Sequence, residues 1–119
     1  MSIFARREAD REKFGDRLPP GQKPTDGWPV LHYGGAPWLS LESWRFEVVG
    51  LVEEPLAFTW ADFMALPQVS TRSDIHCVTA WSKFDNEWQG VAASEILSRI
   101  RLKPGVTHVM VHSYGGYTA

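Results

Sequence analysis

The chain has 119 residues, 44% hydrophobic and 22% charged, with six Trp, six Phe and three Tyr. So aromatic a composition excludes a disordered chain, and the length is that of one small domain. A formal net charge of −2 leaves no basic excess for nucleic acid, and the single cysteine, Cys77, has no internal disulfide partner.

Residues 1–17 carry five positive and four negative charges, the composition of a solvated arm or short surface helix. The pair Arg6-Arg7 is followed by charges rather than the apolar stretch of an export signal. No segment reaches the roughly 18 apolar residues of a membrane helix, so a cytoplasmic protein without a membrane span is expected. Residues 18–27, LPPGQKPTDG, read as an irregular linker. We therefore take residues 1–26 as an N-terminal arm and 27–119 as the domain. From Trp28 to Gly35 the chain is apolar and aromatic; Pro29 and the glycine pair disfavour a helix and predict an extended segment ending in a turn.

Trp44-Arg45-Phe46-Glu47-Val48 alternates apolar and polar, which predicts a half-buried strand. Val49-Gly50-Leu51-Val52 extends or bulges it, and Glu53-Glu54-Pro55 ends it. Thr59 and Asp62 have the spacing of a capping box with a shorter acid. They open a short helix with Trp60, Phe63 and Met64 on one face, stopped by Pro67. Residues 72–79 predict another strand and residues 81–90 a turn-rich stretch. From Ala92 the pattern is helical, with Ile96, Leu97 and Ile100 on one stripe. Lys103-Pro104-Gly105 predicts a turn, and β-branched residues 107–113 a final strand. This order is that of an α+β fold. The ending, a glycine pair flanked by tyrosines, is loop-forming and has no closing element, so a C-terminally incomplete domain is expected.

Cys77 stands at the end of a predicted strand, a position that projects into clefts. Four roles are open to it. It can pack as a small hydrophobe. It can ligate zinc with His76, His108 or His112, although on a strand His108 and His112 would stand about 13 Å apart. It can act as a nucleophile, although His76 would face the opposite side of the strand. Or it can be a single thiolate on a soft metal that brings its other ligands with it. That last role needs only Thr, Ser, Asn, His and backbone donors for a polar cofactor, the types that surround Cys77 and Ser113.

The string Asp74-Ile75-His76-Cys77-Val78-Thr79-Ala80-Trp81-Ser82, followed by Trp88-Gln89-Gly90-Val91, resembles the sulfite-oxidase-like molybdopterin oxidoreductases, above all their short bacterial members without a haem domain. Residues 44–50, Glu54-Pro55-Leu56 and Thr59-Trp60 resemble the segment before that cysteine. Residues 108–113 and Gly115-Gly116-Tyr117-Thr118 resemble the segment after it. The resemblance covers residues 27–119 in order, and it implies the front part of a sulfite-oxidase-type molybdopterin-binding fold. It further implies a molybdenum–molybdopterin cofactor with Cys77 on the metal, His32 and Ser113 as cofactor contacts, and Tyr117 as the active-site tyrosine, with Tyr114 as its rival. Trp81 is expected near the site and the other tryptophans in the core. The implied chemistry is two-electron oxygen-atom transfer on a small-molecule substrate, with an external electron donor or acceptor. The sequence departs from the family in two respects. Val30 stands where sulfite oxidases place an upstream arginine, and Trp81-Ser82-Lys83 lacks the arginine that follows their cysteine. Without those oxyanion-binding forks, sulfite itself is in doubt as substrate. Family members also continue well past Tyr117, into a part that supplies further pterin-phosphate contacts. The alternatives are a non-catalytic binding or assembly module of the same fold, and a thiol or zinc enzyme using Cys77.

Overall fold

The computed structural model describes residues 2–32 and 34–119; Met1 and Tyr33, the latter within the predicted extended segment, lie outside the described residues. Helices and strands are mixed along the chain, the composition expected of an α+β fold. The elements are α1 (Ile3–Phe14), a single 3₁₀ turn (Gly15–Arg17), β1 (Lys23–Pro24), β2 (Arg45–Val48), β3 (Leu56–Thr59), α2 (Trp60–Met64), β4 (Gln68–His76), β5 (Trp81–Val91) and α3 (Ala93–Leu97). They fall into two compact units, Met1–Val30 with Ser70–Trp88, and Leu31–Val69 with Gln89–Ala119. Among the described residues no helix is long and apolar enough to cross a membrane.

In the first unit, β5 lies between β1 and β4. The strand β5 replaces the predicted turn-rich stretch. Its residues read as turn-forming because its inward face is polar: Ser82 and Asn86 are buried there. Each is satisfied. The Asn86 amide donates to the carbonyls of Ser73 and Lys83 at 3.1 and 2.8 Å, and Lys83 Nζ donates to its oxygen at 2.9 Å. Buried polar groups with full hydrogen bonding are tolerated, and they specify one register. The expected irregular linker is corrected too: Lys23 and Pro24 pair in parallel with Trp81 and Ser82. Pro24 is admissible because β1 is an edge strand.

Helix α1 is exposed along its length, as a charged arm should be. Its end is anchored by Phe14, stacked on Phe84 at 4.2 Å between ring centroids. Arg17 adds a fork to Asp74, at 2.9 and 2.7 Å, and reaches Asp85 at 2.9 Å.

In the second unit, β2 and β3 form an antiparallel pair in which Phe46 faces Phe58 and Val48 faces Leu56. The predicted alternation of β2 holds, with Phe46 and Val48 turned inward. The stretch beyond it turns at Gly50 (φ 95°) rather than extending the strand. Leu51 and Glu53 then exchange backbone bonds with Lys103 and Arg101. The capping box is present in full, with Thr59 and Asp62 answering one another. Trp60 and Phe63 pack on Trp44, each at 5.2 Å, while Met64 is exposed. Val52, Leu66 and Ile96 are the buried apolar side chains among the described residues. Leu97 is exposed, so the apolar stripe of α3 is narrower than predicted.

Residues 107–113 do not form the predicted strand. Val111 exchanges two backbone bonds with Ala119, at 2.8 and 3.0 Å, and His112 forms one bridge with Thr118. Strand propensity measures fit to a pleated, half-buried neighbour, and here Val109, Met110 and Val111 are exposed.

Asp74 is held at about 2, below its ordinary value of 3.8, because Arg17 donates to it and the Asp85 amide adds a second bond. Such a group contributes stability that is present above its ordinary value and lost as pH falls through the folded one. Acidification from about pH 4 to about pH 2 therefore releases this anchor. In Arg17→Met, the exchange of the Lys23 and Thr25 amides should already be fast at neutral pH and should lose its acid step, as read by hydrogen exchange.

Candidate functional site

Strand β4 ends at His76 and β5 begins at Trp81, so Cys77 opens a hairpin whose connection is Val78, Thr79 and Ala80. The Ala80 amide donates to the Cys77 carbonyl at 3.0 Å, and the Cys77 amide donates to the Trp81 carbonyl at 2.9 Å. This is a tight turn followed by one left-handed residue, a position that glycine or asparagine usually takes. Here it is Ala80, with φ 66°, at a cost of about 1 kcal/mol. Strain of this kind persists where neighbours over-determine the backbone. The neighbour is β1: Lys23 and Thr25 donate to the carbonyls of Ala80 and Ser82 at 3.0 and 2.9 Å.

The half-buried thiol of Cys77 accepts a hydrogen bond from the Thr79 hydroxyl at 3.2 Å. That bond, with the backbone N–H groups of Thr79 and Val78, pulls the thiol below the ordinary thiol range. A cluster of N–H donors at a turn favours an anion, here a thiolate. The His76 ring is engaged elsewhere, with Nδ1 2.8 Å from the Ser82 hydroxyl. Among the described residues no group of three or more His, Cys, Asp or Glu side chains gathers as a metal cluster. A metal on Cys77 would take its remaining ligands from outside this turn, as a metal carried by a dithiolene cofactor does. The donor set fits such a group.

Trp81 closes the same hairpin, its carbonyl accepting from the Cys77 amide. It meets Trp28 edge-on at 6.2 Å. Its indole N–H is buried and finds no partner among the described residues, an orphan donor beside the thiol's turn. The other tryptophans are not the fully buried core residues expected: Trp38 is 87% exposed, and Trp28 and Trp88 are also exposed. Trp28 meets Trp81 and Trp88 edge-on, while Trp44 and Trp60 are half-buried against each other.

The remaining predicted residues belong to the second unit. His32 lies on exposed, irregular backbone. Ser113 and Tyr117 are brought together: the Ser113 amide and hydroxyl both donate to the Tyr117 carbonyl, at 2.9 and 3.0 Å. The Tyr117 ring is exposed. Tyr114 is occupied differently. Its hydroxyl donates to the Arg45 carbonyl at 2.8 Å and accepts from the Arg45 amide, completing the backbone bonds at the start of β2.

Sequence reasoning missed Gln22. Its side-chain amide donates to the Cys77 carbonyl at 2.9 Å and accepts from the Ser82 hydroxyl at 3.1 Å. The residue sits among prolines and glycines, 55 positions from Cys77, and no local pattern marks it.

Replacing Ala80 with Gly removes the side-chain penalty at a left-handed position and adds freedom to the unfolded chain. The first effect is the larger, so Ala80→Gly should stabilise by up to about 1 kcal/mol in urea denaturation.

The sequence model of the oxidoreductase molybdopterin binding domain matches residues 33–119. Over 103 residues the chain is 40% identical to the "Uncharacterized oxidoreductase YuiH" of Bacillus subtilis (strain 168), covering 86% of this chain and 52% of that relative. The chain thus spans about half the length of the curated relative it matches. No solved structure matches it.

Proposed function

The chain belongs to the oxidoreductase molybdopterin binding domain family, and from that premise we propose that it forms the front part of a sulfite-oxidase-type, molybdenum–molybdopterin oxidoreductase with Cys77 as the protein's thiolate on the metal. The observation that supports the reading best is the Cys77 turn: one half-buried sulfur, favoured as thiolate by the Thr79 hydroxyl and two N–H groups, with no cluster of metal-ligand side chains among the described residues. When bound, the cofactor supplies the two-electron, oxygen-atom-transfer chemistry. The substrate is a small molecule, and an external partner takes or gives the electrons.

In this reading the chain's own residues bind and orient. Cys77 presents a soft ligand, and Thr79 holds its charge in place. The orphan indole N–H of Trp81 gives a donor for a polar ligand atom. Ser113 has spent its one hydrogen on the Tyr117 carbonyl, so toward the pterin it acts as an acceptor of N–H. His32 contacts the pterin from exposed backbone. Tyr117 donates its phenolic hydrogen to the substrate oxygen.

Cys77→Ser, in full-length protein from a host that makes the cofactor, should melt within a few degrees of the parent and contain no molybdenum. A serine hydroxyl is a poor substitute for a soft thiolate. Unchanged molybdenum per folded molecule would overturn the ligand assignment, and a parent protein free of molybdenum would favour a non-catalytic module.

The two tyrosines should separate by readout. Tyr117→Phe should cut turnover by about 10²-fold with an unchanged melt. Tyr114→Phe should leave turnover intact and cost about 1 kcal/mol of stability by losing the Arg45 bonds.

A further inference from the structure

The family match begins at residue 33, yet the Cys77 turn is held by residues that precede it. Gln22 meets both sides of the hairpin with one planar amide, through the Cys77 carbonyl before the connection and the Ser82 hydroxyl after it. Ser82 is fully buried and also joins His76, so a continuous hydrogen-bonded path runs from His76 through Ser82 and Gln22 to Cys77.

The bond to the Cys77 carbonyl has a consequence for the sulfur. That carbonyl accepts from the Ala80 amide at 3.0 Å and from Gln22 at 2.9 Å, which uses both of its lone pairs. A carbonyl so held cannot rotate. The peptide group is planar, so fixing the Cys77 carbonyl also fixes the Val78 N–H and with it the start of the connection whose Thr79 hydroxyl donates to the Cys77 sulfur. The two ends of one peptide plane are thus coupled: Gln22 grips one, and the other leads into the segment that carries Thr79 to the thiol.

We infer that Gln22, outside the family-matched region, is a positioning residue that sets the peptide plane between Cys77 and Val78 and so the presentation of the Cys77 sulfur. The functional meaning of this assignment rests on the reading of Cys77 as the metal ligand. The residue type follows from the task. Glutamine has a donor and an acceptor on one rigid plane. Glutamate keeps the acceptor for Ser82 but has no hydrogen for the Cys77 carbonyl, and methionine keeps the length and neither function.

The test compares the parent, Gln22→Glu and Gln22→Met as full-length proteins. Three readouts are taken: residue-resolved amide exchange, the rate of Cys77 alkylation by iodoacetamide in metal-free protein, and the metal-centred absorption spectrum after loading. In Gln22→Met, protection of the Cys77, Ala80 and Lys23 amides should fall about tenfold, alkylation should accelerate severalfold, and the spectrum should shift at unchanged molybdenum content. The β2–β3 amides should keep their protection. Gln22→Glu should reproduce the losses at Cys77 and Ala80, because it lacks the donor. Unchanged exchange and alkylation in Gln22→Met would overturn the assignment, as would an equal fall across all protected amides. Parent-like behaviour of Gln22→Glu would also overturn it. A loosened turn in Gln22→Met together with full molybdenum in Cys77→Ser would support the positioning role and overturn the ligand reading alone.

Discussion

Three residues, Val78 to Ala80, lead from Cys77 into β5, and the third of them adopts left-handed backbone. Ala80 does so without the advantage of glycine. Much of the first unit follows from that closure. It places Cys77 at the last residue before the turn and Trp81 at the first after it. It sets β5 antiparallel to the chain that precedes it, and it leaves the Ala80 and Ser82 carbonyls pointing outward to receive β1. A hairpin of this geometry with a non-glycine apex needs external support, and the N-terminal arm provides it.

The two units are held by different kinds of force. In the second, Trp44, Phe46, Trp60 and Phe63 form an aromatic cluster, and Val52, Leu66 and Ile96 are buried. Apolar burial is strong and non-directional, and it tolerates small shifts. In the first, the buried side chains are Ser82 and Asn86, and their hydrogen bonds lose strength with a modest error in angle or distance. If Cys77 is the metal ligand proposed above, it has to be held to fractions of an ångström. The unit that carries Cys77 is the one built from directional bonds.

The legible parts of the sequence were those where one local rule decides the outcome. Period-two alternation gave β2 its inward Phe46 and Val48, and the Thr59/Asp62 spacing gave α2 its cap. The Cys77 string led to the family that the match over residues 33–119 shows. The illegible parts depended on distant partners. β5 has a polar inward face because Gln22, His76 and Ser73 answer it, and none of them is its sequence neighbour. β1 is two residues long, too short for any periodicity. Residues 107–113 have the composition of a strand, yet composition does not supply the neighbouring strand that makes one. Gln22 had no signal of its own.

The separation between Gln22 and Cys77 also orders events in time. The β4–β5 hairpin closes over four residues, whereas the Gln22 bridge closes a loop of 55. Closure entropy rises with loop length, and distant contacts form later than local ones. On the nascent chain, then, the cysteine turn is made first and the arm seals it last. Between those two moments the Cys77 sulfur sits on a formed but unlatched hairpin, with its surroundings more open than in the finished fold.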